Sequence, residues 1–309
     1  MPKYKKQKYV HATFLSLIAA EALWGVNNSF IKLGLRTVPL PFFLAVTLLG
    51  AALLIAPLAK KYWQPMSKKD YGLLTIGSLI SITLGNVVLL MGLRDVFVFS
   101  ASLISLFKPL MLLLLSVEFL KERFGWRTFW GILIAFAGAA IVIMQPWQAG
   151  SSTVSMGMLL IVLAALCDVM GTVILKPVVS RSNSYQVTTL HLFIGAAPIA
   201  VYALLNLSST DFKSFSRNGW IAIVFNILFI TFANVLFYFG LKYRKAQDTG
   251  IFQYIYPIGS LIGGWLILHE VPNVRLAIGA LFIVAGIYVA EFYKRKGFAN
   301  KAGFKAGRL

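Results

Sequence analysis

A chain of 309 residues that is 59% hydrophobic and 13% charged, with a mean hydropathy of +0.79, does not have the composition of a soluble domain. Its net charge of +19 would suggest nucleic acid in a soluble protein, but membrane proteins gather basic residues in their cytoplasmic loops. The one cysteine, Cys167, excludes an internal disulfide and any Cys-based metal site, and reads as a small packing residue.

Apolar blocks of about 20 residues, the length an α-helix needs to cross a bilayer, recur along the chain. They fall at roughly 11–33, 39–59, 71–93, 97–118, 126–144, 156–177, 185–206, 218–241, 247–268 and 273–293. Helices of a globular core are shorter and keep a polar face. The predicted class is an all-α polytopic membrane protein with ten transmembrane helices. Lys3, Lys5, Lys6 and Lys8 precede the first block, and Ala20-Glu21-Ala22 within it resembles a signal-peptide cleavage site. The apolar pattern runs past Glu21 to Leu35, so the block is read as a retained span.

With the N-terminus placed in the cytoplasm, alternation assigns 21 Lys and Arg residues to the cytoplasmic side. Five (Arg36, Arg94, Lys213, Arg217 and Arg275) fall opposite, while Lys32, Lys108 and Lys176 lie within or at the ends of spans. This asymmetry predicts a multi-pass protein of the cell membrane with both termini cytoplasmic. Residues 294–309 form a basic cytoplasmic tail that reads as solvated or facing lipid headgroups.

One stretch occurs twice, from Thr83 to Gly138 and from Thr231 to Gly286, at a fixed offset of 148 residues. Asn86 falls on Asn234, Gly92 on Gly240, Pro109 on Pro257, Glu122 on Glu270, Gly131 on Gly279 and Gly138 on Gly286. Apolar coincidences are cheap in such a chain, whereas paired Asn, Pro, Glu and Gly mark a duplication. Lys32 and Lys176 extend it weakly at an offset of 144. The repeats are placed at 1–147 (helices 1–5) and 155–293 (helices 6–10). Five spans is an odd number, so the second repeat enters the membrane inverted, the arrangement of transporters that alternate access around a midplane site.

Glu21, Lys108 and Asp168 fall near the middle of the first, fourth and sixth predicted spans. Each charge there costs about 2.5–3.5 kcal/mol on insertion scales, so it must face a cavity or a partner. Lys108 pairs with Glu21 or Asp168 to hold helices together, or all three line a substrate or proton path. With two acids and one base, a carboxylate left unpaired is suited to carrying a proton. Pro109 and Pro257, mid-span in the fourth and ninth helices, each remove a helical hydrogen bond, freeing the carbonyls of Ser105 and Gln253. They are candidate gating or hinge positions, with Lys108 and Tyr256 just before them aimed at a cavity. Asn86 with Thr83, and Asn234 with Thr231, share helix faces and suit bonding between helices. Gly131, Ala135 and Gly138, like Gly259 and Gly263, permit close helix approach inside the bundle or in a homodimer. Glu122 and Glu270, just beyond span ends, suit surface pairing or a helix-end lock. His11, His191 and His269 form no metal spacing, and neither a P-loop nor a hydrolase motif is present, so no metal, cofactor or enzymatic activity is expected.

Ala22-Leu23-Trp24-Gly25-Val26-Asn27, followed by Phe30-Ile31-Lys32-Leu33-Gly34, resembles the first helix of EamA-type members of the drug/metabolite transporter superfamily. The runs Pro109–Glu122–Gly138 and Pro257–Glu270–Gly286 resemble its repeated signature. The resemblance covers nearly the whole chain. It implies two inverted five-helix repeats, a cavity formed by helices one, three, four, six, eight and nine, and transport of small metabolites such as amino acids, often outward. Two departures concern the cavity: the sixth span carries Cys167-Asp168-Val169 in place of a Trp-Gly pair, and Lys108 adds a charge.

The candidate substrate-binding residues are therefore Glu21, Trp24, Asn27, Lys108, Asp168 and Tyr256. Lys108 would answer a carboxylate or phosphate; Glu21 and Asp168 would answer a cationic amine. The expected function is secondary active transport, most simply export, of a small metabolite, with protons as a candidate coupling ion. The alternative is a non-transporting membrane scaffold that retains the fold. The expected partners are the substrate and the lipid bilayer, in a monomer or homodimer, without nucleic acid.

Overall fold

In lipid a backbone must satisfy its own N–H and C=O groups, and this chain does so as helix. The computed structural model describes residues 10–93, 106–143, 156–207, 212–269 and 274–291, and among them there is no strand. The α-helices are α1 (Val10–Gly34), α2 (Leu40–Lys61), α3 (Lys68–Ser78), α4 (Gly85–Leu93), α5 (Lys108–Leu120), α6 (Trp126–Ile143), α7 (Met156–Arg181), α8 (Ser184–Leu205), α9 (Arg217–Tyr243), α10 (Ala246–Gly250), α11 (Ile255–Leu268) and α12 (Val274–Glu291). A π-helical stretch, Leu79–Leu84, joins α3 to α4, and a 3₁₀ turn, Ile251–Tyr254, joins α10 to α11.

Local chemistry sets several ends. Ser67 and Asp70 form a reciprocal capping box at the start of α3; Asn183 caps α8 and Ser216 caps α9. Both α5 and α11 end on a residue in the left-handed region, Lys121 (φ 53°) and His269 (φ 58°). These two occupy the same position of the repeat.

Among the described residues, seven helical segments are long and apolar enough to cross a membrane. The apolar helices Trp126–Ile141 and Ile278–Ala290 are shorter, and the expected fourth span starts outside the described residues. Several of the expected loop residues, with Glu270 and the basic tail, also lie outside them.

Packing follows a reciprocal pattern. α1 lies against α9 and α11, α7 against α3, α4 and α5, α2 against α8, and α6 against α12. The α6–α12 contact is backbone to backbone, with Gly131 at Gly286 and Gly138 at Gly279, so the two helices run antiparallel. α1 meets α11 equally closely: a Cβ on Gly259 would lie 2.6 Å from the Ala22 carbonyl, and one on Gly263 would lie 2.9 Å from that of Val26.

One end of the bundle is densely cross-linked. Gln186 bonds both the N–H and the carbonyl of Gln64, and Arg181 pairs with Asp70 at 2.6 Å. Lys176 donates to the carbonyls of Leu241 and Arg244 at the end of α9, and Lys242 donates to that of Ser182. At the other end, Thr37 and Ser216 bond each other at 3.1 Å beside the ring cluster of Phe42, Phe212 and Phe215.

Candidate functional site

The three mid-span charges predicted from sequence meet at one cavity of about 240 Å³. α1 brings Glu21 and Trp24, the π-helical stretch Ser81, α5 Lys108, and α7 Asp168 and Thr172. α8 adds His191, α9 Asn234, Phe237 and Tyr238, the 3₁₀ turn Gln253, and α11 Tyr256. The volume lies just below the ~300–1,000 Å³ typical of small-molecule sites, so it suits a small solute.

The charges are not equivalent. Lys108 Nζ donates to Asp168 Oδ2 at 2.8 Å, so of the two pairings open in the sequence the structure selects Asp168. Both side chains keep part of their surface accessible, 28% for Lys108 and 48% for Asp168. Glu21 is 3% exposed, and its Oε1 has no hydrogen-bond partner among the described residues. Tyr256 donates its hydroxyl to Asn28 Oδ1 at 2.9 Å, and the amide of Asn28 donates to Ser260 Oγ at 2.8 Å. This short relay fixes Tyr256 and ties α1 to α11. Trp24 packs on Phe237, with ring centroids 5.3 Å apart.

Pro109 departs from the mid-helix position expected, whereas Pro257 lies midway along the continuous helical segment Ala246–Ile267. Pro109 lies in the first turn of α5, and Pro257 is the third residue of α11, just after the 3₁₀ turn of its own segment. First-turn N–H groups have no intrahelical acceptor, so Pro109 forfeits no bond. Ahead of Pro257 the segment tightens from α to 3₁₀ and back without leaving the helical region, and Gln253 from that turn lines the cavity.

Asn86 and Asn234 donate to carbonyls one turn back in their own helices, those of Ile82 and Ile230. The bonds between helices come from the threonines on the same faces: Thr83 reaches the Gly195 carbonyl at 2.7 Å and Thr231 reaches that of Ala51 at 3.4 Å. Asn234 also lines the cavity. Asn27 is buried, and its Oδ1 lacks a partner among the described residues, but it is not among the residues lining the cavity.

Sequence reasoning weighed His191 only as a metal ligand and did not place it at the cavity. It is 5% exposed on α8, its Nδ1 is 2.9 Å from Ser78 Oγ, and its ring stands edge-on to Tyr238. A histidine inside an apolar span was the available signal.

The profile of the EamA-like transporter family matches residues 11–144 and again residues 155–292. The chain belongs to the EamA-like transporter family. It is similar to the uncharacterized transporter YetK of Bacillus subtilis, with 25% identity over 94% of this chain and 89% of that one. It is also similar to an uncharacterized transporter of Archaeoglobus fulgidus, with 26% identity over 89% and 97%. A third relative is the WAT1-related protein At3g02690, chloroplastic, of Arabidopsis thaliana, with 24% identity over 91% and 70%. A crystal structure matches with a TM-score of 0.75 at 20% identity, covering 93% of this chain and 98% of its own, which is a likeness of fold. This EamA-like protein is thus a multi-pass membrane transporter, not an enzyme.

Proposed function

We propose that this protein is a secondary active transporter, working as an exporter, for a small zwitterionic metabolite such as an amino acid. The observation that carries the reading is the partly exposed Lys108–Asp168 pair on the wall of a small aromatic-lined cavity. A substrate bearing both a carboxylate and an ammonium exchanges that internal pair for two of its own, so neither charge is left uncompensated. Trp24, Phe237 and Tyr256 supply apolar and cation-facing surface for the rest of the molecule. Glu21, buried beside the pair, is the candidate proton carrier.

The protein has ten transmembrane helices in two inverted five-helix repeats, 1–147 and 155–293, with the basic tail 294–309 and both termini in the cytoplasm of a cell-membrane protein. Support comes from the packing. Shifting by the repeat offset converts α1 against α9 and α11 into α7 against α3, α4 and α5, and converts the Gly131–Gly286 contact into Gly279–Gly138. Tyr254 donates to the Leu106 carbonyl at 3.0 Å, and these two residues are each other's repeat equivalents. Contacts between equivalents arise where a pseudo-two-fold axis passes, and such symmetry lets two halves exchange conformations around one site. The cross-linked end also carries Lys60, Lys61, Lys68, Lys69, Arg123 and Arg181, which supports its placement on the cytoplasmic side. Pro109 and Pro257 mark the segments that yield as access switches.

Metabolite profiling of cells with and without the protein tests direction and substrate together. Accumulation of an amino acid inside the deleted cells is expected. Unchanged internal and external pools across all zwitterionic metabolites would count against export.

A further inference from the structure

We infer that the concavity where the α5–α6 connection meets α10 is a binding site for the phosphate of an anionic membrane lipid. It encloses about 280 Å³ and is lined by Arg123, Arg127 and Lys245, with Asp248 the single carboxylate among the described lining residues. Three acids among the described residues nearby have partners within the protein. Asp248 Oδ1 accepts from Thr128 at 2.9 Å, and Glu122 accepts the N–H groups of Ala246 and Gln247 at 2.9 and 3.3 Å. Glu118 sits 3.5 Å from Lys121. The cationic residues line a recess whose shape is held by the Gln247 side chain, which accepts from Gly125 N–H at 3.1 Å and donates to the Arg123 carbonyl at 2.8 Å.

Position decides for a lipid over a free anion. Trp126 and Trp130 lie one turn apart at the start of α6 and are 66% and 56% exposed, and the helix is apolar beyond them. Amphipathic rings at one end of a spanning helix mark the headgroup level of the bilayer. Arg127 sits between them in sequence, at the first turn of α6, where the positive end of the helix dipole adds to its charge. A phosphodiester seated against Arg123, Arg127 and Lys245 can run its acyl chains along the exposed face of α6. A soluble phosphate gains nothing from that face. Basic pockets between transmembrane helices are suited to such headgroups.

The site lies outside the cavity, so its occupancy is independent of which solute is carried. The test is native mass spectrometry of the full-length protein from detergent containing equal amounts of phosphatidylglycerol and phosphatidylcholine. The parent should retain phosphatidylglycerol in preference, and Arg123→Gln/Lys245→Gln should weaken that preference by roughly tenfold or more. Lys60→Gln/Lys61→Gln, which removes the same charge elsewhere, should keep it. Equal retention of the two lipids by the parent, or an equal loss in both double variants, would overturn the site. So would a rise in the parent's thermal midpoint with inorganic phosphate matching that with phosphatidylglycerol. If the Arg123/Lys245 variant misfolds, Arg127→Gln alone carries the test, and an unchanged preference there overturns the proposal.

Discussion

Lys108 Nζ and Asp168 Oδ2, 2.8 Å apart, join α5 to α7 across the wall of the cavity. Removing one member leaves the other charge at depth, whereas removing both does not. Lys108→Gln and Asp168→Asn should each lower stability by about 1–3 kcal/mol, an intermediate value for a partly exposed pair. The double variant should regain most of that stability but transport no better than either single. Thermal unfolding beside flux in the same preparations checks this, and normal flux in the double variant would reduce the pair to a structural brace.

Glu21 bears on proton coupling. It is buried next to the pair, with Oε1 unpartnered among the described residues. Glu21→Gln should fold, because the amide is nearly isosteric, and should lose the response of transport to an imposed proton gradient while still exchanging substrate. A parent protein indifferent to the proton gradient would remove Glu21 from that role.

The Gly131–Gly286 contact tolerates no side chain. A Cβ on Gly131 would lie 2.7 Å from the Gly286 carbonyl, and one on Gly286 would lie 2.5 Å from that of Gly131. Gly131→Ala should therefore cost about 1–3 kcal/mol as α6 and α12 are forced apart. Gly72→Ala is the control, with no atom within 4 Å of the added Cβ. It should be neutral or stabilising by up to about 1 kcal/mol, the ordinary gain of alanine over glycine in a helix. Thermal midpoints of the two variants settle it.

How much of this was readable in the chain depends on what kind of residue carries the information. The 148-residue repeat pattern was legible because Asn86/Asn234, Pro109/Pro257 and Gly138/Gly286 are chemically distinct from the apolar background and do not pair by chance. Glu21, Lys108 and Asp168 were legible against the same background, and they converge on one cavity. The π-helical stretch Leu79–Leu84 and the 3₁₀ turn Ile251–Tyr254 were not. An apolar run reports its solvent, and α, 3₁₀ and π turns present lipid with the same side chains. The choice between Glu21 and Asp168 as partner of Lys108 depends on helix rotation, which no repeat encodes. His191 was hidden by its isolation in sequence; Ser78, its partner, is 113 residues away.

Glu122 should act as a lock between the two halves. Its carboxylate accepts the Ala246 and Gln247 N–H groups, holding the start of α10 against the end of α5. Glu122→Ala should cost about 1–3 kcal/mol, because charge-assisted bonds are lost and backbone donors are left unmade. Glu118→Ala, which removes only an exposed pairing with Lys121, should stay within about 0.5 kcal/mol of the parent. Denaturation in detergent compares them directly.

The most direct test of transport around this cavity is flux in liposomes reconstituted with the purified protein and offered a panel of labelled amino acids and other small metabolites. Saturable, gradient-dependent movement of at least one zwitterionic compound is predicted, competed by its unlabelled form and abolished by Lys108→Gln/Asp168→Asn. No gradient-dependent flux of any compound, from protein that remains folded in the bilayer, would contradict the account.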